Sequence, residues 1–305
     1  MQTLILINPH AAGGSTRRLL QPMDAWLTSL HLPMKPEIVM PASLQEAHRD
    51  IAQRATRSKI VVVGGDGTLN QMLPSLINGK HVVGLVPSGS GNDCARAWGL
   101  HKLSWQDALA FALSGVSSPV DVGRIALDLG KSHYFHSSLA IGFDASVGNR
   151  ALAGPSFLRG LPRYLLATLR ELQNLRNWPL CIQADGHLMH DGLCLLASSL
   201  NTSSYGAGMP AVPHALIDDG QLNLLVASHF NRLQTLLMLP RLLTGTHLSH
   251  ARISCRSFQS ASLTSSVNVP VAADGEPLGE ARSIQVQVMP QTLQVVKKSK
   301  QLEGA

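Results

Sequence analysis

Charged residues, aromatic rings and cysteine are all scarce in this 305-residue chain, and each scarcity removes a class of function. With 4% aromatic residues there are too few rings for the base-stacking surface of a nucleic-acid binder, so no nucleic-acid partner is expected. Cys94, Cys181, Cys194 and Cys255 lack C-x-x-C spacing, which argues against a zinc site or a disulfide framework and suits a reducing cytoplasm. The thirteen histidines do not cluster as ligands, and His133 and His136 fall on opposite faces of a predicted strand. No long hydrophobic run occurs: the apolar stretch 233–243 is interrupted by Pro240 and Arg241 and is too short to span a bilayer. Any membrane contact should therefore be peripheral. No signal peptide is visible before the first strand. Two phosphate-binding signatures are missing as well. G-x-G-x-x-G does not fit the glycine-rich segments, and Gly130-Lys131-Ser132 has Ile125 where G-x-x-x-x-G-K-[ST] needs its leading glycine.

What is present is a length suited to about two domains and a mild basic bias, a net charge of +6, that favours nucleotides or anionic headgroups. Apolar runs at 4–7, 38–40, 60–63 and 82–86 read as strands, and the segments 16–30, 44–57 and 69–77 read as helices. That alternation predicts an α/β N-terminal domain with a parallel, Rossmann-like sheet, where ligands sit at the carboxyl ends of the strands. After about Val120 the rhythm changes. Short strands at 135–141, 180–184, 193–200, 222–226, 251–257, 267–272 and 284–288 follow, with an Asp185-Gly186 hairpin turn and helices at 161–175 and 233–243. This predicts a mainly antiparallel C-terminal domain, a β-sandwich or flattened barrel. The expected boundaries are 1–122 and 123–290, with 291–305 able to rejoin the first domain.

The segment Val61-Val62-Val63-Gly64-Gly65-Asp66-Gly67-Thr68-Leu69-Asn70-Gln71 is a β-type run that stops at three glycines and a carboxylate. It reads as a phosphate cradle: the glycines permit positive φ and close backbone approach, and Asp66 can face Mg²⁺ on phosphate. Val86-Pro87-Ser88-Gly89-Ser90-Gly91-Asn92-Asp93 repeats the strand-to-helix layout. There Ser90 offers a donor, Asn92 or Asp93 a helix cap, and Asp93 with Arg96 one charge of each sign. Two acidic turns come later, Asp218-Asp219-Gly220 and Asp274-Gly275-Glu276. Each is first of all a tight turn, but together with the cradles they supply what phosphoryl transfer to an alcohol needs: screened phosphates and a carboxylate to accept a proton.

These four motifs, with Gly142-Phe143-Asp144-Ala145, stand in the order and spacing of the diacylglycerol kinase catalytic-domain family. Across nearly its whole length the chain resembles the soluble bacterial lipid kinases of that family, the YegS and diacylglycerol kinase B type. NAD kinases and phosphofructokinases are similar in the first motif only. The resemblance implies a fold of the NAD-kinase and diacylglycerol-kinase type and ATP held by Asn8, Pro9, His10, Ala11, Ala12, Gly65, Asp66, Gly67, Thr68, Leu69, Asn70 and Gln71. Ser90 would take the place of a nucleotide-binding threonine. It implies Glu276 as the proton acceptor with Asp274 as its supporting carboxylate. A structural Mg²⁺ would be held by Asp219 and the carbonyls of Leu216 and Gln221. The implied activity is ATP-dependent phosphorylation of a lipid hydroxyl, diacylglycerol-like or phosphatidylglycerol-like, in an interdomain cleft, by a cytoplasmic enzyme touching the membrane peripherally. A monomer and a homodimer both remain open. Three departures stand out. Gln71 replaces the family's usual glutamate, Pro41 stands near a common threonine with Ser43 as a substitute, and the first loop lacks lysine, leaving Arg17 or Arg18 to supply charge. The alternatives are a non-catalytic sensor of the same fold and an NAD kinase.

Overall fold

The computed structural model describes residues 2–89, 91–128, 130, 132–155 and 158–298. They form two compact units: one runs to Val120 and takes up the chain again at Gln291, and the other is Asp121–Pro290.

In the first unit, strands and helices alternate: β1 (Thr3–Ile7), α1 (Leu20–Ser29), β2 (Glu37–Val39), α2 (Leu44–Ala52), β3 (Lys59–Gly64), α3 (Asp66–Asn78), β4 (Val82–Pro87), α4 (Asp93–Ala97) and α5 (Trp105–Ser114). The strands pair in parallel in the order β2-β1-β3-β4, and residues 294–295 add a further parallel strand beside β4. β1, β3 and β4 are nearly continuous apolar runs because helices cover both faces of the sheet, whereas the edge strand β2 stays partly exposed. Ile5, Ile7, Val61 and Val63 pack with Met23 and Leu27 of α1 and Leu109 of α5 on one side. The alternating Leu4, Leu6 and Val62 are equally buried on the other. Strand order reverses between β1 and β3, so the carboxyl ends of those two strands form the topological switch point where such sheets bind ligands.

The helix expected over 16–30 begins only at Leu20. Residues Ala11–Leu19 are 3₁₀ turns, interrupted where Ala12, Gly13 and Gly14 take positive φ. Conversely, α3 starts three residues earlier than expected, so Asp66, Gly67 and Thr68 are its first turn rather than a loop.

The second unit is antiparallel, as its sequence pattern predicts. Its elements are β5 (Ser117–Leu127, entering from the first unit), β6 (Ser132–Phe135), β7 (Ser138–Ile141), α6 (Phe143–Leu152), α7 (Leu161–Glu171), β8 (Trp178–Ala184), β9 (His187–Leu200), β10 (Leu222–Ser228), α8 (Arg232–Thr244), β11 (Ile253–Phe258), β12 (Ser260–Ala273) and β13 (Glu276–Val296), whose last residues return to the first unit. β10 lies between β11 and β9, β7 joins β9 to β12, and β8 also bridges β9 and β12. Its core includes Phe135, Leu180, Phe230, Phe258 and Ile284.

Three expectations are corrected here. The single strand expected at 135–141 is two, because the N–H groups of His136 and Ser137 turn aside to the Asp274 carboxylate. β5 and α6 were not anticipated. β12 is also twice as long as the apolar part of its sequence, since Ser260, Ser262, Thr264 and their neighbours pair as regularly as the valines do.

Candidate active site

At the end of β1, Asn8 donates its backbone N–H to the Val63 carbonyl (3.1 Å) and its side-chain amide to Thr68 Oγ1 (2.8 Å). This pins the first loop to the first turn of α3 across the switch point. Thr16 donates from Oγ1 to the Asn8 carbonyl, and Arg17 Nε donates to the Pro9 carbonyl at 3.2 Å, placing a guanidinium against the lysine-free loop. A cavity of about 290 Å³ opens there, lined by Asn8, Pro9, His10, Ser43, Thr68 and Gln71, with Pro41 and Ala42 beside them. It brings together five of the expected nucleotide residues and the two positions in question between β2 and α2, Pro41 and Ser43. Ala11, Ala12, Gly65, Asp66, Gly67, Leu69, Asn70 and Asp93 are not among its walls, and Ser90 lies outside the described residues.

The first cradle uses its glycines differently from the expectation. None of Gly64, Gly65 and Gly67 has positive φ. They supply space: a Cβ on Gly64 would sit 2.6 Å from Thr68 Oγ1, and one on Gly65 would sit 2.7 Å from the Cα of Gly89 in the second cradle. The two glycine-rich loops thus touch backbone to backbone. Asp66 ties them further, because its carboxylate accepts the N–H of Asp93 at 2.9 Å and that of Cys94 at 3.0 Å. The cap of α4 therefore comes from a carboxylate 27 residues upstream, where Asn92 or Asp93 was expected. Asn92 instead takes positive φ and closes a turn on Gly89 through both its amide atoms. Asp93 is buried and lies 3.9 Å from Arg96. The first turn of α3, aimed at the switch point, adds N–H groups and the positive end of a helix dipole, a suitable frame for phosphate.

In the second unit, the buried carboxylate of Asp274 accepts three backbone N–H groups, from His136 (2.9 Å), Ser137 (2.8 Å) and Ser138 (2.9 Å). Its own N–H donates to the Ser138 carbonyl, and Asp274 and Gly275 both take positive φ. Asp274 is thus a fastening for the turn, and the turn presents the half-buried Glu276 at the start of β13. The Asp218-Asp219-Gly220 turn is fastened from below. Asp121, fully buried, accepts the Gly220 N–H at 2.7 Å and donates its own N–H to the Ile217 carbonyl at 2.7 Å. Asp219 is exposed and accepts the Gln221 N–H at Oδ1. Asp219 and the carbonyls of Leu216 and Gln221, the ligands expected from the resemblance, are all oxygen donors, the type a hard divalent cation such as Mg²⁺ takes.

Two functional candidates were not assigned from sequence. Asp121 was detectable only as a lone carboxylate inside the apolar run Val120-Asp121-Val122, a position that burial makes costly without partners. Asp144 lines an apolar cavity of about 130 Å³ whose walls include Phe143, Tyr164, Leu196, Met238, Leu242 and Gly275. Ser198 Oγ donates to the Asp144 carboxylate, and so does the Ala145 N–H, but burial dominates and pushes its pKa up to about 7.

Since native Asp144 keeps its proton up to about pH 7 and the unfolded residue loses it near 3.8, the native chain binds more protons in that window. Stability should fall as pH rises from about 4 to about 7. Asp144→Asn should flatten that slope. We expect its Tm to match wild type near pH 4.5 and to exceed it by roughly 3–6 °C at pH 8. Parallel Tm profiles would show that Asp144 is not the group being titrated.

A parallel nucleotide-type unit with paired glycine loops and an antiparallel unit with fastened acidic turns define a kinase of the class that shares its fold with NAD kinases. The diacylglycerol kinase catalytic domain model matches residues 2–125, and the YegS C-terminal NAD kinase beta sandwich-like domain model matches 137–297. The chain belongs to the diacylglycerol kinase catalytic-domain family and is a lipid kinase. It is 31% identical to a diacylglycerol kinase of Mycobacterium tuberculosis over 243 residues, covering 78% of this chain and 76% of that protein. A probable lipid kinase YegS-like of Yersinia enterocolitica is 26% identical, covering 96% and 95%. Among solved structures, a putative diacylglycerol kinase from Bacillus anthracis superposes with a TM-score of 0.78 at 21% identity, over 97% of this chain and 95% of that one. An NAD kinase from Archaeoglobus fulgidus in complex with ATP gives 0.53 at 12% identity, over 98% and 95%. At these identities the two structures speak for the fold alone.

Proposed function

We propose that this kinase transfers the γ-phosphoryl group of ATP to a hydroxyl of a diacylglycerol-like or phosphatidylglycerol-like lipid, with Glu276 as the base. The observation that carries this reading is the apolar cavity, which is lined by Gly275, the residue before Glu276. An acyl chain in that cavity would leave a polar headgroup beside the only part of its wall that belongs to the acidic turn. Glu276 accepts the hydroxyl proton, the oxygen bonds to the γ-phosphorus, and the bond to the β-phosphate oxygen breaks to release ADP. Asp274 holds the turn so that the base is already in place, which lowers the entropic cost of reaching a reactive geometry.

On the nucleotide side, Asn8, Pro9, His10, Ala11, Ala12, Gly65, Asp66, Gly67, Thr68, Leu69, Asn70, Gln71, Ser90 and Asp93 are assigned to ATP. The walls of the first cavity support it for Asn8, Pro9, His10, Thr68 and Gln71, and the first turn of α3 for Asp66 and Gly67. Mg²⁺ bound through the carboxylate of Asp219 and the carbonyls of Leu216 and Gln221 would brace the turn by neutralising its carboxylates. The four cysteines are free thiols, and no helix among the described residues is long and apolar enough to cross a membrane. These observations fit a cytoplasmic protein that meets its lipid at the membrane surface.

The test is incubation with γ-labelled ATP, Mg²⁺ and extracted membrane lipids, followed by separation of the products. A labelled phospholipid is the expected result, and its parent identifies the acceptor. Binding of ATP without transfer to any lipid would instead make the chain a sensor.

A further inference from the structure

Helix α8 carries leucine on both of its sides. Thr235, Met238, Leu239 and Leu242, at helical spacing, face inward and line the apolar cavity. Leu233 and Leu237, each 64% exposed, and Leu236, 43% exposed, lie on the opposite side, flanked by exposed Arg232 and Arg241. A surface helix normally turns charge to the water, and this one turns three leucines.

The charge around the helix narrows the choice of what covers it. From Gly220 to Ala273 the sequence has no aspartate or glutamate, and it contains four arginines, Arg232, Arg241, Arg252 and Arg256. Arg252 reaches α8 itself, donating to the Gln234 side chain at 3.0 Å. Leucines flanked on the helix by Arg232 and Arg241, with Arg252 beside them and no acid on the helix itself, match an anionic bilayer: acyl chains for the leucines, phosphate headgroups for the arginines. At 13 residues α8 is about 20 Å long, too short to span, and Pro240 deprives the Leu236 carbonyl of its helical donor. An unpaired carbonyl is costly in the hydrocarbon core and tolerable at the interface, so the helix is suited to lie in the headgroup layer.

We infer that α8 is the membrane-docking element of this kinase: its outer leucines insert into an anionic leaflet, and its inner face forms one wall of the cavity that takes up the lipid. The inference rests on the lipid-acceptor reading above. It commits the membrane contact to α8, a choice that the basic bias of the sequence does not make.

The test is sedimentation of the protein, without ATP, on vesicles of equal phosphatidylcholine and phosphatidylglycerol and on vesicles of phosphatidylcholine alone. The wild type is compared with Leu233→Gln/Leu236→Gln/Leu237→Gln and with Arg232→Gln/Arg241→Gln. None of these five side chains lines the cavity. We expect the triple variant to bind anionic vesicles at least about thirtyfold more weakly. The arginine pair should lose about fivefold per residue at low salt and little at high salt. Both variants should keep wild-type Tm and wild-type turnover of acceptor dispersed in detergent. Equal sedimentation of wild type and variants overturns the inference. So does a shift of the triple variant from dimer to monomer with vesicle binding unchanged, which would make the leucines a contact between copies. Absence of turnover in detergent for the wild type would refute the kinase reading, while the vesicle comparison is read independently of it.

Discussion

Glu276→Gln is expected to lower kcat by about 10²- to 10⁴-fold, the range a positioned general base contributes. KM for ATP and Tm should stay close to wild type, because the side chain is half-buried at the start of a strand and the residues proposed for ATP belong to the other unit. Asp274→Asn is the informative contrast. That carboxylate accepts three backbone N–H groups, two on one oxygen and one on the other, and an amide would turn a donor on at least one of them. Its Tm and kcat should fall together, since the turn that carries Glu276 loses its fastening. A Glu276→Gln enzyme with wild-type turnover would remove Glu276 from the chemistry.

Gly65→Ala is expected to weaken ATP binding by between about tenfold and a hundredfold, with a smaller effect on Tm. The new Cβ would stand 2.7 Å from Gly89 Cα, and neither loop can yield without pulling Asp66 away from the Asp93 and Cys94 N–H groups it caps. Gly89→Ala meets the same obstruction from the other side, where its Cβ would lie 2.6 Å from Gly65 Cα. The two substitutions should therefore be strongly non-additive in a double-mutant cycle, because either one alone separates the loops. ATP titrations by calorimetry provide the measurement. Additive losses would mean that the loops act independently and that their contact is incidental.

The parallel unit was legible because its inner strands β1, β3 and β4 are buried on both faces and stand in the sequence as apolar runs. The antiparallel unit was legible in type but not in detail. In β12, serine and threonine on the open face mask a long strand, and the break between β6 and β7 is dictated by Asp274, which lies well over a hundred residues further on. The site divides in the same way. Glycines next to a strand announce a phosphate cradle, yet whether they serve positive φ or close approach depends on what lies opposite, and Gly89 is not adjacent in sequence. The acidic turns could be found by motif, whereas Asp121 and Asp144 acquire their importance from burial and from partners such as Gly220 and Ser198. The apolar cavity is assembled from α6, α7, α8 and five strands, and no local pattern encodes a space.

The last strand has a consequence for how the chain is made. Residues 294–295 pair with Val82 and Val83 of β4, so a sheet that begins with the third residue takes in a strand synthesised more than two hundred positions after β4. While the second unit is being translated, β4 has an unsatisfied edge, a template for pairing with another nascent chain. The high contact order of that closing pair should make it a late and slow step in maturation. Truncation ahead of Gln294 would then penalise the first unit, whose partner strand lies more than two hundred positions earlier in the sequence.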